Sequence, residues 1–329
     1  MRRLAVLGAG SWGTTFAQVL ADGGSEVMLW ARREEVAAEV RTEHRNSAYL
    51  GEHLLPEAVG ATSRIDETLE GADGIVLAVP AQSLRATLAA WPALPEVPVL
   101  SLIKGIERGT DARISEVIAQ AGRTDPARIG VLSGPNLSGE IARRQPCGSV
   151  VAAPDHTLAE SLAMWCQTSY LRAYTSTDVI GVEIAGAVKN VIAIAVGAAT
   201  GLGHGHNTTA SLITRGLAEI TRLGVALGGR PETFAGLAGM GDLVATCSSP
   251  LSRNHRLGLA LGRGLDVMSA AQEVGQTAEG VATARAVGDL AARLGVDMPI
   301  TRAVVDVVDH GARIEDVTTA LLSRSIRPE

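Results

Sequence analysis

Lysine is almost missing from this 329-residue chain: only Lys104 and Lys189 are lysines, and the other 27 of its 29 basic side chains are arginines. A guanidinium stays protonated at any working pH, whereas a desolvated ammonium can release its proton. The chain has therefore kept two groups able to exchange a proton. Lys104 ends the strand-like run of residues 99–105, and Lys189 sits inside the apolar helical stretch 184–190. Neither setting resembles a solvated surface, and buried lysines are rare without a task.

Aromatic residues are also scarce, nine in all, so the core must be built from Ala, Val, Leu and Ile. There is no excess of positive charge, and a net charge of −6 excludes the basic face of a nucleic-acid binder. The three cysteines, Cys147, Cys166 and Cys247, are odd in number and lack C-x-x-C spacing. This excludes a disulfide scaffold and a thiolate metal site, and predicts free thiols in a reducing, cytoplasmic setting. His204-Gly205-His206 lacks nearby carboxylates or thiols, so no metal is expected. The apolar run after Met1 breaks into glycines too early for a signal peptide and reads as a first strand. The most lipid-like segment, 179–199, carries Glu183, Lys189, Asn190 and several glycines, which predicts a buried helix of a soluble protein without membrane insertion.

What is present is alternation. Short apolar runs at 4–7, 26–30, 74–79, 97–103 and 129–132 alternate with helical periodicity at 12–21, 33–43, 82–91 and 111–121. That pattern predicts an α/β, doubly wound, mostly parallel sheet covered on both faces. A final strand pair, 149–153 and 170–174, extends the sheet around a helix at 158–167. Beyond Thr177 helical periodicity dominates, with helices expected at 178–199, 209–227, 256–261, 278–294, 299–310 and 314–322. The reading is an N-terminal Rossmann domain over 1–177 and an all-α C-terminal domain over 178–329.

Gly8-Ala9-Gly10-Ser11-Trp12-Gly13 follows the first strand and opens the first helix. In that context G-x-G-x-x-G is a dinucleotide loop. Gly8 serves the tight turn, Gly10 admits the pyrophosphate, and Gly13 lets helix and strand pack closely. Where an NAD enzyme places an acidic residue to hold the ribose hydroxyl, this chain reads Trp30-Ala31-Arg32-Arg33. Two guanidiniums suit a 2′-phosphate, so NADP is the expected cofactor, with NAD possible.

Around Lys189, the residues on the same helical face are Ala185, Gly186, Ile192 and Ala193; three are small and leave room for a ligand. Asn190 offers an amide. Lys104 and the segment Ser133-Gly134-Pro135-Asn136-Leu137-Ser138 both fall at the carboxyl edge of the expected sheet, where such folds bind ligands. Asp242 ends a glycine-rich turn, and Ser252-Arg253-Asn254 places a guanidinium and an amide at a helix start, a combination suited to a phosphate.

Together, Gly8–Gly13 with Trp12, Ser-Leu-Ile-Lys-Gly, Val-Lys-Asn, Gly-Met-Gly-Asp-Leu and Ser-Arg-Asn resemble the bacterial NAD(P)-dependent glycerol-3-phosphate dehydrogenases. The resemblance implies a Rossmann domain followed by a helical domain, usually in a homodimer. It implies reversible reduction of dihydroxyacetone phosphate to sn-glycerol 3-phosphate for phospholipid synthesis. By motif, Lys189 is similar to the general acid/base and Lys104 touches nicotinamide and substrate. Asp242 holds the substrate and the lysines, while Ser252, Arg253 and Asn254 bind the phosphate end. Gly134 and Asn136 line the substrate pocket. Ser11, Trp12, Ser138, Arg253 and Glu279, the last in Thr277-Ala278-Glu279-Gly280, reach the cofactor. The loop 134–138 departs from the family's pattern, which has a small hydroxyl residue, an aromatic and alanine after the proline. Two alternatives stand beside this reading: a β-hydroxyacid-type dehydrogenase acting on a carboxylate, and a non-catalytic NADPH sensor.

Overall fold

The structure, a computed structural model, describes residues 1–275 and 279–323. Two compact units emerge: Met1–Lys104 with Ala112–Glu183, and Gly105–Asp111 with Ile184–Glu329. The second unit begins inside the helix Val179–Gly201, and it includes a short piece of chain immediately after Lys104.

The first unit is built on eight strands: β1 (Arg3–Leu7), β2 (Glu26–Trp30), β3 (Val59–Thr62), β4 (Gly74–Leu77), β5 (Val99–Ser101), β6 (Ile129–Ser133), β7 (Cys147–Ala152) and β8 (Leu171–Ser176). They form one sheet in the order β3-β2-β1-β4-β5-β6-β7-β8. Every pairing is parallel except β6 with β7, which runs antiparallel. Two faces are buried at once: Leu4 and Val6 of β1 enter one core, and Ala5 and Leu7 enter the other. That is why these strands read as unbroken apolar runs rather than alternating ones.

β3 escapes the pattern because Val-Gly-Ala-Thr has no apolar run, and it is an edge strand supported only by β2. Strand β5 stops at Ser101, so Lys104 lies in the loop three residues further on. The order reverses between β1 and β4, which opens a crevice at their carboxyl ends.

The second unit is helical among its described residues. Its core gathers Val191, Ile194, Leu257, Leu261, Ala284 and Val304. Helices Val179–Gly201 and Arg253–Gly262 meet backbone to backbone. A side chain on Gly197 would strike the His255 carbonyl, one on Gly258 the Ile194 carbonyl, and one on Gly262 the Ala198 carbonyl. Only glycine fits at such an approach. The interlock fixes the helix that starts at Arg253 against the helix that carries Lys189. The Val179–Gly201 helix is long and apolar enough to cross a membrane, yet 83% of its most apolar window is buried inside the protein, as expected of a core helix. Helices Pro231–Ala235, Asp242–Ser248 and Val267–Val274 add to those the periodicity predicts.

Candidate active site

In the first unit the glycine loop is seated at the switch point. Gly8 has φ +131°, and a Cβ there would lie 2.6 Å from the Ala78 carbonyl oxygen beyond β4. A Cβ on Gly13 would strike the Gly8 carbonyl, so strand and helix touch through these two residues. Gly10 differs: nothing lies within 4 Å of its missing side chain, and that open side is where a ligand can approach the backbone. The helix Ser11–Asp22 has no acidic residue in its first turn and no side chain capping its N-terminus. Its amide donors and positive dipole end are therefore available to an anion, and the loop fits the pyrophosphate of a dinucleotide. The Ser11 hydroxyl donates to the Tyr49 carbonyl at 3.4 Å. The Trp12 ring packs edge-on against Phe16.

After β2, Arg32 and Arg33 are both exposed. The acidic pair that follows does not engage Arg32. Glu34 accepts from Ser63 at 2.6 Å and pairs with Arg41 at 3.0 Å, and these two contacts hold its carboxyl below the usual range. Arg33 meets Glu35 only at 3.9 Å. Arg32 makes no ion pair among the described residues.

Lys104 donates to the Gly134 carbonyl at 3.0 Å. Gly134 has φ +149°, and a side chain there would press on the backbone of Gly148 and Ser149 at 3.0 Å. The variant residue Asn136 donates its amide to the Ser149 hydroxyl at 2.6 Å, so β7 anchors the loop that departs from the family's pattern. Ser138 opens a short helix, Ser138–Ala142, and its carbonyl accepts from Thr15 of the glycine-loop helix at 3.4 Å. Lys104 is thus bonded to Gly134, while Asn136 and Ser138 of the same loop are tied to β7 and to the glycine-loop helix.

In the second unit Lys189 is buried, with 8% of its side chain exposed. It donates to Asp242 at 2.5 Å and to the Thr246 hydroxyl at 2.6 Å. Asp242 is itself 1% exposed, and it begins the helix Asp242–Ser248 after a π-helical turn, Leu237–Gly241. Its carboxylate accepts both from the Lys189 ammonium and, at 3.3 Å, from the hydroxyl of Thr246 on its own helix. Thr246 escapes sequence reading, although its i+4 spacing from Asp242 places both on one helical face. Cys247, just behind, is a core thiol that burial pushes up to about 12.

Of the residues flanking Lys189, Ile192 is covered by Gly216 of the helix His206–Ala226, so that part of the face is closed to a ligand. Ser252 caps the next helix, accepting from His255 N–H at 3.3 Å. Exposed Arg253 occupies the first helical turn, and Asn254 accepts the Gly280 N–H at 3.1 Å. That bond ties the Ser-Arg-Asn segment to Glu279, which starts the helix Glu279–Leu294. Thr277 and Ala278 of the same expected motif lie outside the described residues.

The N-terminal family model of NAD-dependent glycerol-3-phosphate dehydrogenase matches residues 3–159 of this chain, and the C-terminal model matches 178–319. Glycerol-3-phosphate dehydrogenase [NAD(P)+] of Streptomyces griseus is 55% identical over 329 residues, covering 99% of this chain and 98% of the relative. That of Nocardia farcinica is 55% identical over 338 residues, covering all of both. The crystal structure of glycerol-3-phosphate dehydrogenase from Coxiella burnetii superposes with a TM-score of 0.93 at 36% identity, covering 98% of this chain and 99% of that one. The glycine loop at the strand-order reversal and a buried lysine held by aspartate thus occur in a chain matched along nearly its whole length, and it belongs to the NAD-dependent glycerol-3-phosphate dehydrogenase family.

Proposed function

We propose that the chain interconverts dihydroxyacetone phosphate and sn-glycerol 3-phosphate with NADPH as its preferred reductant and Lys189 as the proton donor. The observation that carries this reading is the Lys189–Asp242–Thr246 cluster, a buried ion pair whose lysine stands on the predominantly apolar helix Val179–Gly201. A nicotinamide held by the glycine loop would supply the hydride to the ketone carbon. Lys189 serves the oxygen. Two of its three N–H donors go to Asp242 and Thr246, and the third is available to a substrate carbonyl.

As charge builds on that oxygen, the ammonium stabilises it and gives up one proton, leaving the alcohol and a neutral amine. In the reverse direction the neutral amine takes the alcohol's proton. Asp242 neutralises the buried ammonium, whose isolation in the core would otherwise cost several kcal/mol. Lys104, fixed on the Gly134 carbonyl, is assigned to substrate and nicotinamide contact, with Gly134 and Asn136 beside it and Ser138 toward the cofactor.

The phosphate end is assigned to Ser252, Arg253 and Asn254. Asn254 spends its carbonyl on Gly280, which leaves its amide donors for phosphate oxygens, and Glu279 beside Gly280 is assigned to the cofactor. Arg253→Ala is expected to raise KM for dihydroxyacetone phosphate about 30-fold or more, the size of a lost charge-assisted contact, while KM for unphosphorylated dihydroxyacetone moves little. Steady-state kinetics on both ketones checks this, and equal shifts would place the phosphate elsewhere.

For the cofactor, the support is Arg32, exposed and without an acidic partner where a 2′-phosphate is expected. Arg32→Ala should lower the ratio of kcat/KM with NADPH to that with NADH about tenfold, the value of one charged hydrogen bond. An unchanged ratio removes Arg32 from the account. The overall reading is tested by adding dihydroxyacetone phosphate and following the NADPH absorbance. Consumption with 3-keto acids instead would point to a β-hydroxyacid enzyme, and binding without consumption to a sensor. By the same resemblance we assign the chain to a cytoplasmic homodimer that feeds phospholipid synthesis.

A further inference from the structure

Asn46 is completely buried, between the helices Glu34–Glu43 and Ser47–Leu50, and none of the motifs above includes it. Its amide nitrogen donates to the Ala9 carbonyl of the glycine loop at 3.0 Å and to the Thr14 hydroxyl at 2.7 Å. Its amide oxygen is buried with no hydrogen-bond partner among the described residues. Since a carbonyl can only accept, the Ala9 contact fixes which end of the amide faces the loop. A buried residue that leaves its acceptor unused is kept for its donors.

Those donors hold one particular peptide. The Ala9 carbonyl and the Gly10 N–H belong to the same trans peptide plane and point in opposite directions. With the carbonyl drawn toward Asn46, the Gly10 N–H is turned away from Asn46, and no protein group accepts it among the described residues. Gly10 is the residue whose missing side chain faces open space. A loop that cradles an anion must aim N–H groups at it and keep carbonyl oxygens away.

The segment carrying Asn46 is itself pinned down. Its backbone carbonyl accepts from Tyr49 and Leu50 N–H at 3.1 and 2.9 Å, and Arg45 bridges Leu54 across the loop. Ser11 adds a second tie to the Tyr49 carbonyl. We infer that Asn46 is a positioning residue for cofactor binding, holding the Ala9–Gly10 peptide with its N–H toward the pyrophosphate. This rests on the dinucleotide reading of the glycine loop.

The test measures binding rather than turnover, by fluorescence titration of NADPH and of adenosine 2′-phosphate, which lacks the pyrophosphate. Asn46→Ala is expected to weaken NADPH tenfold or more. Its adenosine 2′-phosphate affinity and its KM for dihydroxyacetone phosphate at saturating NADPH should stay within twofold of the parent. Thr14→Val, which removes one of the two acceptors of the same amide, should show the same pattern at about threefold and serves if the alanine variant does not fold. NADPH affinity within twofold of the parent in both variants would overturn the inference. So would a loss shared equally by the two ligands, which a merely structural role produces. A parent protein that binds neither NADPH nor NADH would instead sink the dinucleotide reading itself.

Discussion

Replacing Lys189 with arginine is expected to lower kcat about 10³-fold while NADPH still binds, the range attributed to a positioned general acid. The positive charge is retained, so the comparison isolates proton transfer from simple electrostatics. A guanidinium does not give up its proton at working pH, and its planar fork cannot copy the two short contacts of the ammonium to Asp242 and Thr246. The deficit should appear in single-turnover reduction of dihydroxyacetone phosphate as well as in steady state, because the missing step is chemical. NADPH affinity should change little, since the glycine loop and the exposed arginine pair belong to the other unit. Turnover within tenfold of the parent would show that the proton comes from elsewhere.

The second large effect is on stability. Asp242→Ala should cost about 3–5 kcal/mol, the penalty for leaving a buried charge without its partner. For a unit of this size that corresponds to a fall in Tm of about 6–20 °C, measurable by calorimetry. Thr246 remains as a neutral acceptor but cannot neutralise the ammonium. The pair can be separated from the fold by adding Lys189→Met to Asp242→Ala. With both charges gone, the double variant should be more stable than Asp242→Ala alone, since burying neither charge avoids the desolvation. A Tm for Asp242→Ala within about 2 °C of the parent would mean that the lysine is not held as a buried ion pair.

Much of the fold is legible in the pattern because burial on both faces leaves a distinct trace. Strands β1, β2 and β4 contain the apolar runs 4–7, 27–30 and 75–77, and β6 contains 129–132, broken only by Gly130. Helices Pro299–His310 and Ile314–Leu322 keep a regular apolar stripe. β3 leaves no such trace, since an edge strand of Val-Gly-Ala-Thr draws its stability from pairing with β2 rather than from its own composition. The helix Asp242–Ser248 is likewise hidden, because a π-helical turn and three nearby glycines interrupt the period before it starts.

The sequence alone determined the chemistry on offer: a glycine-rich loop between a first strand and a first helix, two lysines in an arginine chain, and a helix start carrying a hydroxyl, a guanidinium and an amide. These rest on local rules of spacing and residue type, which a single strand or helical turn obeys. Tertiary structure alone decided the partners. Asp242 meets Lys189 across 53 positions of chain, Asn136 spends its amide on Ser149, and Asn254 holds Gly280. It also decided that Asn46, in no motif, faces the glycine loop. Such contacts follow from how packed layers bring distant segments to hydrogen-bond distance, and periodicity along the chain carries no record of that.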